Sequence, residues 1–168
     1  MTHITNTPCP PVQSPPVQCP LCPPLVDRED HLWQDDFCRV IWVADAHYPG
    51  FCRVILNAHC KEMSDLAPAQ RHRLMNVVFA VEAAIREVVR PDKINLASLG
   101  NVVPHLHWHV IPRWQNDVNF PDAIWAAARR SDANHPLAPT SDLKQHLQAH
   151  IQTHLQTHIE ALTSTFAA

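Results

Sequence analysis

Residues 104–113 read "PHLHWHVIPR", with His105, His107 and His109 at every second position and Leu106, Trp108 and Val110 between them. A period of two is that of a β-strand, whose successive side chains point to opposite faces. The three imidazoles therefore share one face and the large apolar groups share the other, which is the one a core buries. Packing asks for no histidines. Imidazole is a ligand, a nucleophile and a proton carrier near neutral pH, so the stretch reads as a buried strand with a chemical face.

The segments upstream supply the sheet that such a strand requires. "INLASLG", ending at Gly100, reads as the strand before it, and "HLWQ", "FCRVIWVAD" and "FCRVILNA" read as a meander joined by turns at Asp35-Asp36 and Tyr48-Pro49-Gly50. Between meander and "INLASLG" the period changes. Leu74, Val77, Val78, Val81, Ile85 and Val88 recur at steps of three and four, opposite Arg71, Arg73, Glu82, Arg86 and Glu87. Pro68 suits the first turn of this helix and Pro91 ends it. The order of strands, helix and strands predicts an α+β domain: an antiparallel sheet of about five strands with a long helix packed on it.

The ends of the chain differ in composition from this middle. Eight of the 16 prolines fall within residues 1–24, and proline lacks the donor that a sheet or helix needs. Residues 1–18 are assigned as a proline-rich tail, 19–127 as the domain, and 128–168 as a C-terminal extension. From about Ser141 to Leu162 the extension reads as a helix. Leu143, Leu147, Ile151, Leu155 and Ile159 form one ladder, with His146, His150, His154 and His158 one step away. Histidines at i and i+4 can chelate a metal, but on a long, Gln-rich helix a solvated face is the stronger reading. The aliphatic ladder suits docking or dimerisation.

Composition bounds the function. At 168 residues, 46% hydrophobic and 17% charged, the chain suits one globular domain with tails. A net charge of −3 gives no reason to expect nucleic acid or a membrane surface as partner. No apolar run approaches the roughly 20 residues of a membrane span, and the first residues lack the basic end and apolar centre of a signal peptide, so a cytoplasmic location is expected. The six cysteines are expected to be reduced, because a chain with this aliphatic content needs no staples. Cys38 and Cys52 read as small core residues, and Cys9, in the tail, is expected to have no structural role.

"CPLC" sets Cys19 and Cys22 in the C-x₂-C spacing that forms half of a tetrahedral zinc site. His59 follows the strand "RVILNA", and if His105 joins them the set is Cys₂His₂, which would pin the proline-rich tail to the fold. A redox pair and two idle thiols are the competing readings. For the triplet, separate jobs for the three histidines compete with a tris-imidazole metal site for hydrolysis. Residues two apart on a strand are roughly 6.5 to 7 Å apart, which favours separate jobs.

The run from His105 to Arg113 resembles the signature of the histidine triad (HIT) family, three histidines alternating with apolar residues and followed here by "VIPR". The similarity covers roughly Cys19 to Trp125 in the order of its parts. "LGNVVP" and "FPDAIW" are similar to one bacterial branch of that family. The resemblance implies a HIT-like α+β fold, usually a homodimer with one sheet continuous across both subunits, that binds purine nucleotides and cleaves at the α-phosphorus. It implies that His107 is the nucleophile that becomes nucleotidylated, that His109 hydrogen-bonds the phosphate or leaving group, and that His105 supports His107 while ligating a structural zinc with Cys19, Cys22 and His59. Gly100 and Asn101, where the family commonly has Gly-Gln, would approach the phosphate; Asn95 is the nearest counterpart of a further phosphate-binding amide, and Asp45 would hold the ribose hydroxyls.

The expected activity is therefore hydrolysis or transfer on nucleoside phosphoramidates, dinucleoside polyphosphates or similar nucleotides. Two alternatives are a metal-dependent phosphoesterase using all three histidines and a nucleotide-binding adaptor with little turnover. The first would need carboxylates near the triad, and there is none between Ile94 and Gln115.

Overall fold

The computed structural model describes residues 19–22, 30–131 and 140–165, the side chains beyond residue 157 excepted. The expectations for the 1–18 tail, for Cys9 and for the side chains of His158 and Ile159 lie outside the described residues. Five strands, β1 (His31–Gln34), β2 (Cys38–Trp42), β3 (Cys52–Leu56), β4 (Lys93–Ser98) and β5 (His107–Arg113), form one sheet in the order β1-β2-β3-β5-β4, every neighbouring pair antiparallel. The α+β architecture is as expected. β5 inserts between β3 and β4, so the histidine strand is paired along both edges.

Helix α1 (Pro68–Val88) begins with a proline in its first turn, and the Gln70 side chain accepts the Ala67 N–H at 3.0 Å. Its apolar stripe, Leu74, Val77, Val78, Val81 and Ile85, is buried against the sheet. The opposing sheet face presents Cys38, Val40, Cys52, Val54 and Val110, none of which is exposed to solvent. Both cysteines behave as the small core residues expected. The β2–β3 turn is tied to the end of α1: Gly50 sits at φ +92°, and a Cβ there would come within 2.7 Å of Val89. Only glycine meets both demands.

Helix α2 (Ser141–Thr165) starts with the Thr140 hydroxyl accepting the Leu143 N–H at 3.2 Å. Leu143, Leu147, Ile151 and Leu155 are buried in the same core as α1 and the sheet. The ladder is thus used within the chain, as a docking helix on α1 and β1. The carboxylate that meets the histidine ladder comes from α1, where Glu87 Oε2 lies 2.9 Å from His150 Nδ1 and 3.1 Å from His154 Nε2. Among the described residues no helix is long and apolar enough to cross a membrane.

Candidate active site and metal centre

The face of the sheet opposite α1 carries the chemistry. Register fixes its rows: Ile41 on β2, Arg53 on β3, His109 on β5 and Ala97 on β4 lie side by side, and the next row holds Arg39, Ile55 and His107. His105 differs from expectation in one respect, because β5 begins only at His107. Leu106 donates its N–H to Cys60 O at 2.7 Å, drawing the chain toward the segment after β3 and away from β4. The connection from β4 to β5 therefore delivers His105 to the end of the sheet where Cys19 and Cys22 lie.

All three histidines are buried, at 0%, 8% and 4% exposure for His105, His107 and His109, yet they do different things. The His107 Nδ1 lies 2.6 Å from the carbonyl oxygen of His105. A carbonyl only accepts, so Nδ1 carries the proton and Nε2 of the neutral ring keeps its lone pair. Burial holds the His107 imidazolium form down, its pKa below the usual histidine value despite that hydrogen bond. The His109 ring packs 4.8 Å from His107, 5.7 Å from Phe51 and 5.1 Å from Trp125, measured between ring centres. Burial, reinforced by His107 and the Arg53 charge, lowers the His109 pKa to about 4. Both rings are neutral at pH 7.

His105 turns the other way. Its Nε2 donates to Leu56 O at 2.7 Å, which leaves Nδ1 as the lone-pair atom. That Nδ1 lies 3.4 Å from Cys19 Sγ and 3.5 Å from Cys22 Sγ, and His59 Nδ1 lies 3.3 Å from Cys22 Sγ. The four donor atoms all fall within 4.8 Å of one another. Ligand bonds of about 2.3 Å to sulfur and 2.0–2.1 Å to nitrogen at tetrahedral angles put S and N about 3.5 Å apart, so the three S···N spacings are those of a tetrahedron's edges. Burial, together with Cys19 alongside, pushes the Cys22 thiol up to about 11, with Arg39 opposing. A divalent cation removes that penalty, so the donor set fits zinc. The Arg39 guanidinium donates to Leu21 O at 2.8 Å and to Asn57 Oδ1 at 3.0 Å, fastening the C-x₂-C turn to the sheet.

Both nitrogens of His105 are thereby directed away from the other two histidines, and His107 Nδ1 is committed to the backbone. Among the described residues the only donor cluster with metal-binding spacing is Cys19, Cys22, His59 and His105. The three triad rings do not converge on one ion.

The remaining sequence candidates lie at the margins. Asn95 faces the triad side in register with Ile111, and its Oδ1 accepts from Arg113 Nη1 at 2.6 Å. Gly100 and the exposed Asn101 occupy the loop between β4 and β5. Asp45, half-buried in the β2–β3 connection, accepts the His47 N–H at 2.9 Å. A cleft of about 500 Å³ runs along β4 past Lys93, Asn95 and Ala97 to Ile124 and Trp125, abutting His109 through Ala97 and Trp125. The reading of the sequence missed Trp125 and Arg53. Trp125 gave no periodic signal, but an arginine inside the apolar run "CRVIL" was a visible anomaly.

The segment that presents Trp125 is organised by one ion pair. Arg113 donates through Nε to Asp117 Oδ2 at 2.7 Å and through Nη2 to Oδ1 at 3.1 Å, and both side chains are fully buried. Asp117 also accepts the backbone N–H groups of Trp114, Asn119 and Phe120, and Arg113 donates to Asp122 O. Burial alone would raise the Asp117 pKa; the Arg113 and backbone hydrogen bonds outweigh it and hold the carboxyl below its ordinary value.

Comparison with known proteins follows the same lines. The family model described as "HIT domain" matches residues 26–116. An "AP-4-A phosphorylase" of Mycobacterium tuberculosis is 32% identical over 78 residues, 43% of this chain and 40% of that protein. A "Bis(5'-nucleosyl)-tetraphosphatase [asymmetrical]" of Schizosaccharomyces pombe is 28% identical over 91 residues, 51% of this chain and 50% of that protein. The chain thus matches about half or less of the length of these curated relatives. The crystal structure of a histidine triad protein from Bradyrhizobium japonicum superimposes with a TM-score of 0.59 at 29% identity, covering 74% of this chain and 90% of that one.

Proposed function

Because this chain belongs to the histidine triad (HIT) family, we propose that it is a nucleotide hydrolase or transferase acting at the α-phosphorus of nucleoside phosphoramidates, dinucleoside polyphosphates or related nucleotides. The observation that carries this is the His107 Nδ1 hydrogen bond to the His105 carbonyl, which leaves Nε2 as a neutral nucleophile at pH 7. Nε2 attacks the α-phosphorus, a P–N bond forms, and the bond to the leaving group breaks. The His105 carbonyl accepts from Nδ1–H throughout, so the positive charge that develops on the ring has a fixed partner. Water, or another acceptor such as phosphate, then displaces His107 and releases the nucleotide. His109 donates a hydrogen bond to a phosphate oxygen or to the leaving group.

Gly100, Asn101 and the free amide of Asn95 are proposed to bind phosphate oxygens, and Asp45 the ribose. The Cys19, Cys22, His59 and His105 set is proposed to hold one structural zinc, which supplies no reacting atom and fixes the segment before β1. We propose residues 19–127 as the family unit and 128–168 as an extension whose helix α2 docks on it. β4 has a free outer edge among the described residues, and a homodimer that extends the sheet there would cover it.

Incubation with adenosine phosphoramidate and with diadenosine tetraphosphate, followed by acid quenching, tests the reading. Wild-type protein should turn over at least one and carry adenylyl label. His107→Ala should lose nearly all turnover and all label while still binding nucleotide, because a nucleophile acts in the transition state more than in the ground state. Label on His107→Ala, or no turnover by the wild type, refutes it.

A further inference from the structure

Three arginines stand on the triad face of the sheet, and two of them are spent. Arg39 donates to Leu21 O and Asn57 Oδ1. Arg113 donates to Asp117, Asn95 and Asp122 O. Arg53 is the exception: its Nε is buried and has no acceptor among the described residues. The guanidinium carbon lies 5.7 Å from the centre of the Phe51 ring, and Ile41 and His109 flank Arg53 across the sheet. A guanidinium keeps its charge in any protein, and a buried donor without an acceptor is costly. Neither neighbour relieves it: Ile41 offers no acceptor, and no hydrogen bond joins Arg53 to His109, whose own Nδ1 is buried without a partner among the described residues. Burial pulls the Arg53 pKa down for the same reason.

We propose that Arg53 is the anion-holding residue of the triad face and takes the phosphate oxygens of the polyphosphate chain beyond the α-phosphorus. The location follows from register and rests on the reading of His107 as nucleophile and His109 as the group nearest the leaving group. Arg53 pairs with His109, while the residue paired with His107 is Ile55. The cation therefore stands on the departing side of the α-phosphorus. A planar fork of N–H donors suits two oxygens of one phosphate, and the apolar walls given by Ile41 and Phe51 lower the local dielectric and strengthen the contact. A substrate whose leaving group is an amine offers Arg53 much less than one whose leaving group is a di- or triphosphate. Arg53 is thus a specificity determinant for chain-bearing nucleotides.

The test uses the full chain and two readouts. Inorganic tripolyphosphate binding is measured by calorimetry for wild type, Arg53→Gln and Arg53→Lys, each checked for an unchanged melting temperature and metal content. Loss of a charge-assisted hydrogen-bond pair predicts that Arg53→Gln weakens binding about 10- to 100-fold, and that Arg53→Lys, which keeps the charge and loses the fork, weakens it less. In turnover, Arg53→Gln should lower kcat/KM for diadenosine tetraphosphate at least about tenfold more than for adenosine phosphoramidate, mainly through KM. Wild type that does not bind tripolyphosphate, Arg53→Gln that binds it equally well, or an equal loss on both substrates would overturn the assignment. Arg53-dependent binding of tripolyphosphate by a wild type that turns over neither substrate would support it and remove the proposed function instead.

Discussion

Replacing Asp117 by asparagine is a perturbation whose cost can be worked from the structure. The change is isosteric and opens no cavity, so its effect is electrostatic. It removes the counter-charge of Arg113, a side chain only 2% exposed, and replaces one acceptor oxygen by an NH₂ group that cannot accept any of the five hydrogen bonds now shared by the carboxylate. Breaking a buried pair from one side costs about 3–5 kcal/mol, because the remaining charge stays buried and uncompensated. For a chain of this size that is a fall in Tm on the order of 10 °C. Asp122→Asn is the internal control. Its partner Arg129 and Asp122 itself are 55% and 40% exposed, and such pairs contribute about 0–1 kcal/mol. Urea unfolding at pH 7, read as the change in midpoint at constant m, should separate the two variants by about 2 kcal/mol or more. Because the Asp117 carboxyl is held below its ordinary value, its contribution is present above the unfolded carboxylate pKa and disappears as pH falls below it. The gap between wild type and Asp117→Asn should therefore narrow on acidification below about pH 4. A cost under about 1 kcal/mol at pH 7, or equal costs for the two variants, would refute the reasoning.

The purified protein should carry about one zinc per chain by elemental analysis, and Cys19→Ser with Cys22→Ser should lose it, since a tetrahedral set cannot survive loss of both thiolates. With the His109 pKa lowered to about 4 by burial and by facing His107 and Arg53, the folded state excludes a proton that the unfolded chain accepts. Its contribution is complete above about pH 6.5 and is lost as pH falls toward 4, at most about 3 kcal/mol, and a His109→Gln series of urea midpoints across that range should lack this component. Leu147, fully buried between α2 and its neighbours, should cost about 2–5 kcal/mol when cut to alanine in the same assay. Sedimentation should show a homodimer, and a mass that stays monomeric at all concentrations would rule out pairing through β4.

The strands and α1 were legible because each repeats a local period that burial then honours: the alternation in β5, the three- and four-residue steps from Leu74 to Ile85. The metal set was legible in half, through the spacing of Cys19 and Cys22; His59 and His105 join it only because β3 and β5 are neighbours. Beyond that set, what escaped were contacts whose partners are set by the tertiary fold. Asp117 is four residues from Arg113, but nothing local says that both will be dry. Residues 114–131 have no period, so Trp125 could not be aimed at His109 from sequence, and Glu87 meets His150 and His154 only after α2 has docked. Arg53 was visible as a charge inside an apolar strand; that its Nε would find no acceptor among the described residues follows from which side chains surround it.

His105 presents its ring to Cys19 and Cys22 and its carbonyl oxygen to His107. Two centres thus meet in one residue, one through side chain and the other through main chain, and experiments there inherit the overlap. A His105→Ala phenotype is a confounded variable: the carbonyl survives the substitution, but the geometry that holds it does not. Changes at Cys19, Cys22 or His59 vary one factor while leaving residue 105 in place, and changes at His107 vary the other. Residue 105 itself is where a factorial design has to place its interaction term.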